Sequence, residues 1–276
     1  MKIFDQIITS RNNETVKWAA SLSQKKSREA SRSFMAEGEK LTFEAMDAGL
    51  PVSHIFVSEA KKETLLPRIT NYSADKKFND TAVVVLSDGA FSKISTESAP
   101  QGIISVIKYL DFFKDADIVY KEEFLKNPNE RVIFLSSVRD PGNLGAVIRS
   151  AAAFGIDHIV LTADSADLYN PKTVRSAMGS LFRVKTTVVG DPVKTVDQII
   201  SSGRRVLAAE LRDGAVSIFE ADLKPSDVVI IGNEGHGIAP ELSKASSNSV
   251  YIPISRKTES LNAAVAAAIF MWEISK

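Results

Sequence analysis

Five short runs rich in apolar residues recur through the second half of this 276-residue chain: Val132 to Leu135, Ile156 to Leu161, Val184 to Val189, Val206 to Ala209 and Val228 to Ile231. Segments with helical spacing separate them. A strand with one wet face alternates apolar and polar side chains, whereas these runs leave no face for water. They predict a parallel sheet covered by helices, an α/β architecture whose ligand sites lie in the loops beyond the carboxyl ends of the strands.

The final helical segment adds a second constraint. From Asn262 to Ile274 it is apolar around nearly its whole circumference, including Ala263, Val265, Ile269 and Trp272. Such a helix needs cover on more than one side. Its own sheet supplies one side, and a second copy of the chain is expected to supply the other, which predicts a homodimer.

The first half carries a smaller pattern. Helices are expected at Glu14 to Ser21 and around Leu41, Phe43, Ala45 and Met46, ending at Gly49. Extended runs follow at His54 to Val57, Ala82 to Leu86 and Gly102 to Ile107. Together they predict a small α/β domain over residues 1–110. Residues 111–130 mix charges with Asn127-Pro128-Asn129 and read as a linker with one helix, which leaves 131–276 as the larger domain.

Composition removes several classes of function. With no cysteine there is no disulfide, thiolate metal site or cysteine nucleophile. His54, His158 and His236 are too scattered for a metal centre, so no metal is expected. No run of about 18 apolar residues occurs and the first residues lack a signal-peptide core. A cytoplasmic protein without a membrane partner is the expectation. Lys and Arg total 34, as do Asp and Glu, which argues against a protein that coats nucleic acid by bulk charge. Residues 1–33 nevertheless hold seven basic side chains against three acidic ones. Arg11, Lys17, Arg28 and Arg32 are the candidates there for contacts with RNA phosphates, and Trp18 beside Lys17 is a packing residue that offers a stacking face.

Three segments carry the chemistry. Arg139-Asp140-Pro141-Gly142-Asn143-Leu144-Gly145 follows the first apolar run, with Asn143 placed to cap a helix and Arg149 about one turn into it. Gly232-Asn233-Glu234-Gly235-His236-Gly237 follows the last run. Its three glycines imply close backbone approach or positive φ. It has neither the lysine of a P-loop nor a dinucleotide fingerprint, and Glu234 suits a cationic or hydroxyl-rich ligand better than a phosphate. The third segment, Ile252 to Asn262, leads into the apolar helix, with Ser260 or Asn262 available as its cap.

In this order the three segments resemble the motifs of the SpoU family, also called the TrmH family, of RNA 2′-O-ribose methyltransferases in the SPOUT superfamily. The likeness covers about residues 130–276 and includes Asn170-Pro171-Lys172-Thr173-Val174-Arg175. More weakly, Phe34 to Lys40 and Pro100-Gln101-Gly102-Ile103 are similar to the L30e-like substrate-binding domain of rRNA-directed members. The resemblance implies a deep trefoil knot at the C-terminal end, with S-adenosyl-L-methionine bound in it by the backbone around Gly232, Ile252 and Leu261. It further implies an active site of Asn143, Arg149, Glu234 and Asn262, with Arg149 acting across a dimer as base or as a cation on phosphate and alkoxide. Ala263-Ala264 stands where members often have Val-Ser, which removes a hydroxyl near the site. The implied substrate is structured RNA, with 23S-type rRNA favoured. A tRNA substrate, or an RNA-binding assembly factor without turnover, is the alternative.

Overall fold

The structure, a computed structural model, describes residues 1–110, 127, 129–233, 235–255 and 257–276. The helix expected inside the linker falls at residues outside these. Packing divides the chain into two units, one of Met1–Leu110 with Tyr169–Phe182 and one of the remaining residues.

The first unit contains β1 (Lys2–Ile8), α1 (Glu14–Ser21), α2 (Lys25–Ser31), β2 (Ser33–Glu37), α3 (Glu39–Asp47), β3 (Val52–Ser58), α4 (Lys62–Thr70), β4 (Ala82–Leu86), α5 (Asp88–Ile94) and β5 (Ile103–Lys108). Its sheet runs β1-β4-β3-β5-β2, parallel across β1, β4 and β3 and antiparallel from β3 to β5 to β2. Val16 and Ala19 of α1 and Phe91 and Ile94 of α5 pack on Phe56, Val84 and Ile104 of the sheet. β1 and β2, the two edge strands, are not among the extended runs read from the pattern. Along β1, Ile3 and Phe4 are exposed and no continuous apolar run is required.

A segment from the second half of the sequence also packs here. The ring of Tyr169 lies 4.0 Å from that of Tyr109 and 4.6 Å from that of Phe34, and its hydroxyl accepts from the Leu110 amide at 3.1 Å. The following helix α7 (Pro171–Ala177) places Arg175 in an ion pair with Glu97.

The reading of Arg28 as a phosphate contact is corrected by its environment. Only 2% of the residue is exposed, and its guanidinium donates to the carbonyls of Leu22 and Ser23 at 2.9 and 2.8 Å. Buried charge is tolerated where hydrogen bonds replace water, and Arg28 therefore braces the turn between α1 and α2.

The second unit contains β6 (Val132–Leu135), α6 (Pro141–Ala153), β7 (His158–Thr162), β8 (Lys185–Val189), α8 (Pro192–Ser201), β9 (Val206–Ala209), β10 (Val216–Ser217), β11 (Val228–Ile231), α9 (Pro240–Ala245), β12 (Asn248–Tyr251) and α10 (Ala263–Ile274). The strand order is β10-β12-β9-β11-β6-β7-β8, and every neighbouring pair is parallel. The five apolar runs supply β6, β7, β8, β9 and β11. All residues of β6 and β11 are buried, and Phe134, Val160 and Ile230 share a core with Ile199 of α8 and Leu242 of α9. From β6 the chain builds outward through β7 and β8, then returns to the other side, where β11 inserts between β9 and β6. That reversal opens a crevice beyond the carboxyl ends of the strands, the usual ligand position in an open α/β sheet.

Candidate active site

The loop after β6 is held by an unusual residue. Ser137 has φ +57°, a left-handed conformation that a side chain normally disfavours. Three hydrogen bonds fix it there. Its amide donates to Thr162 Oγ1 at 2.8 Å, its hydroxyl donates to Asp164 Oδ2 at 2.7 Å, and its carbonyl accepts from Asn233 Nδ2 at 2.8 Å. Donation from Thr162, then from Ser137, and more weakly from Arg139, holds the Asp164 carboxyl below the usual carboxylate range. Arg139 pairs with Asp164 at 3.2 Å.

Helix α6 starts at Asp140, whose carboxylate accepts from the Asn143 amide at 2.9 Å, with Pro141 in the first turn. The cap is therefore Asp140 and not Asn143, which lies inside the helix. Asn143 Oδ1 instead accepts from Asn262 Nδ2 at 3.1 Å. Asn262 is the cap of α10, accepting from the amides of Ala264 and Val265 at 2.9 and 3.3 Å. The pair thus joins the first turns of α6 and α10. Arg149 is exposed on α6, and its side chain makes no hydrogen bond or ion pair among the described residues.

The glycine loop after β11 folds back on itself. A side chain at position 232 would place its Cβ 2.4 Å from the carbonyl carbon of Gly237, so only glycine fits. Asn233 and Gly237 exchange backbone hydrogen bonds of 2.9 Å in both directions, and Asn233 Oδ1 accepts from the Gly235 amide at 2.8 Å. Close approach was the correct inference for Gly232, and what approaches is the loop's own backbone. Glu234 lies outside the described residues.

A cavity of about 740 Å³ opens at the carboxyl ends of β9, β11 and β12. Gly232 of the loop after β11 and Ile252 and Leu261 of the loop after β12 all line it. Val250, Leu261 and Phe270 form apolar wall, while Glu210, Asn233, Ser255 and Thr258 bring polar groups. Glu210 and Asn233 are contributions that the motif reading missed. Glu210 directly follows a buried strand and accepts hydrogen bonds from Ser243 and, at 3.0 Å, from Ser249. An acid immediately after an apolar run was the available signal.

Beside this cavity, α6 and α10 border an open groove of about 550 Å³ lined by Asn143, Ala146, Phe154, Asn262, Ala268 and Trp272. The Trp272 ring meets Phe154 edge-on at 5.8 Å yet remains 55% exposed, and Val265 is 49% exposed. The helix that is apolar all round has one face buried and the other uncovered in the single chain.

In the first unit Arg11 is exposed, Lys17 pairs with Glu14 at 3.0 Å, and the Arg32 guanidinium lies 4.8 Å from the centre of the Tyr109 ring. Among the described residues no cluster of His, Cys, Asp or Glu is placed to hold a metal, and no helix is long and apolar enough to cross a membrane.

Two family models match the chain, the SpoU rRNA Methylase family over residues 130–272 and the MRM3-like substrate binding domain over residues 13–105. A 23S rRNA (guanosine(2553)-2′-O)-methyltransferase of Bacillus subtilis is 34% identical over 97% of this chain and 98% of its own length. A 23S rRNA (uridine(2479)-2′-O)-methyltransferase of Streptomyces viridochromogenes is 27% identical over 96% of this chain and 90% of its own. The crystal structure of an AdoMet-bound rRNA methyltransferase from Sinorhizobium meliloti aligns with TM-score 0.81 and 28% identity, covering 99% of this chain and 97% of that one.

Proposed function

The chain belongs to the SpoU rRNA methylase family, and from that premise we propose that it transfers a methyl group from S-adenosylmethionine to a ribose 2′-hydroxyl of 23S ribosomal RNA. The observation that carries this reading is the single cavity shared by Gly232, Ile252 and Leu261. Its residues fit the cofactor chemically. Val250, Leu261 and Phe270 offer an apolar bed for a flat purine, and Glu210, Asn233 and Thr258 offer partners for hydroxyls and an amino-acid end. Bound there, S-adenosylmethionine supplies an electrophilic sulfonium methyl. A trefoil knot that threads the segments around 232–238 and 252–262 is part of the proposal, supported by both segments bordering the same cavity.

The work left to the protein is positioning and charge control. Guanidinium groups keep their proton at neutral pH. Arg149 is therefore assigned to grip the phosphate beside the reacting ribose and to stabilise the oxygen as its proton passes to solvent water. Asn143 and Asn262, bonded to each other, fix the helix entries next to the cofactor cavity. Glu234 is assigned to orient Arg149 or to bind the ribose.

A homodimer built on the groove between α6 and α10 completes the site, with Arg149 of one subunit serving RNA at the other. Its support is the uncovered apolar face around Val265 and Trp272. The MRM3-like unit is assigned to RNA recognition, with Arg11, Lys17 and Arg32 as its phosphate contacts. The cytoplasm is the proposed location, consistent with a chain that lacks cysteine.

Mapping ribose methylation across 23S rRNA and tRNA in cells with and without the gene tests the reading. Loss of one 2′-O-methyl group from 23S rRNA is expected. Loss from tRNA alone would transfer the assignment to tRNA, and no loss would overturn it.

A further inference from the structure

The first unit carries a second concavity, of about 410 Å³, that methyl transfer leaves unused. Helices α1 and α5 cover the sheet at Phe56, Val84 and Ile104 and reach its outer strip at Ile8, leaving Phe4 exposed. There β1 forms the edge. Phe4 pairs with Val84, and Lys2 pairs with Ala82, which in turn faces His54. Residues paired in register share a face, so Phe4 continues the surface that bears His54, and Gln6 lines the same concavity beyond an irregularity in the pairing. Phe4 is 51% exposed on this face, and the His54 ring is held 4.7 Å from Trp18. Trp18 is therefore engaged in packing, and Phe4 is the aromatic ring that remains open.

The surrounding groups specify a ligand. Thr9, Ser10 and Asn13 give the concavity a polar rim. Arg11 is exposed in the loop between Ser10 and Asn13. Burial, aided by Lys108, lowers the pKa of His54, whose Nδ1 lies 3.2 Å from Ser53 Oγ. A flat, hydrogen-bonding heterocycle with an anion attached matches an aromatic face, amide and hydroxyl partners and an exposed arginine in the adjoining loop. A nucleotide base has these properties, and only an unpaired base can leave its stack to enter.

We propose that the groove between β1 and α1 receives an unpaired base of the RNA, stacked on Phe4, with its phosphate toward Arg11. This inference rests on the assignment of the first unit to RNA recognition.

The test measures binding of fluorescein-labelled single-stranded A8 and U8 ribonucleotides, and of an RNA duplex of equal length, to the full chain. Phe4→Ala is expected to weaken single-strand binding about 10-fold, Phe4→Tyr to retain it, and both to keep wild-type affinity for the duplex and for S-adenosylmethionine. The retained affinities show that the variants are folded. Equal binding of the octamers by Phe4→Ala and wild type would overturn the proposal even if the protein methylates rRNA. Octamers that bind wild type no better than the duplex would also overturn it and leave the β1 edge to a polypeptide strand. Phe4-dependent octamer binding in a protein that methylates no rRNA would keep the groove and reject the rRNA assignment.

Discussion

Asn233 donates from Nδ2 to the carbonyl of Ser137 at 2.8 Å, joining loops that lie 96 positions apart in sequence. The same side chain accepts from the Gly235 amide, so one residue closes the glycine loop and ties it to the first motif. Asn233→Ala removes both contacts and leaves the left-handed Ser137 with one fewer restraint. The expected cost is about 1–3 kcal/mol in chemical denaturation, together with weaker S-adenosylmethionine binding by calorimetry. Unchanged cofactor affinity would show that the loop holds its shape without this bond.

Arg149→Ala should abolish methyl transfer while leaving cofactor affinity close to that of wild type, because Arg149 is exposed on α6 and does not line the cavity proposed for the cofactor. Subunit mixing extends the test. If Arg149 serves the opposite protomer, an Arg149→Ala chain mixed with a chain that cannot bind cofactor regains activity. Activity that returns in no mixture would place the residue's action within its own subunit.

Arg11 and Arg28 should behave differently despite their similar sequence setting. Arg11→Glu is expected to weaken RNA binding and flatten its salt dependence without lowering the melting temperature. Arg28→Glu puts an acid among the carbonyls of Leu22 and Ser23 and should unfold the first unit. A stable Arg28→Glu protein would contradict the assigned brace.

His158 makes stability depend on pH. It is buried, with Nε2 and Thr187 Oγ1 at 2.7 Å, and its pKa is lowered to about 3, first by burial and then by Lys185 and Arg204. The unfolded chain binds the extra proton from about pH 6.5 downward, whereas the folded chain resists it until about pH 3. Stability is thus complete above the unfolded pKa and falls on acidification through this window, by at most about 1.4 kcal/mol per pH unit. Urea midpoints between pH 7 and 5 should fall less steeply in His158→Gln than in wild type. Parallel curves would assign the acid sensitivity to other groups.

The parts of this fold that were legible share one cause. Full burial on both faces forces unbroken apolar runs, and β6, β9 and β11 begin and end where those runs do. Asn262 was legible as a cap because capping is local. Strand β12 was not, since its Asn248 and Ser249 lack an apolar pattern and pairing with β9 defines it. Arg28 misled because charge normally means exposure, and the carbonyls that offset its burial are visible only once the turn is folded. The role of Asn233 depends on β11 lying beside β6, and the packing of Tyr169 on Phe34 joins residues distant in sequence. Neither relation has a local signature.

The central claim is that the cavity lined by Gly232, Ile252 and Leu261 delivers a methyl group to a ribose oxygen of 23S rRNA. It is tested most directly by incubating the protein with methyl-tritiated S-adenosylmethionine and 23S rRNA from cells lacking the gene, then digesting to nucleosides. Label recovered in one 2′-O-methylated nucleoside is the predicted result. Label on a base, or RNA that stays unlabelled although the protein binds the cofactor, would contradict it.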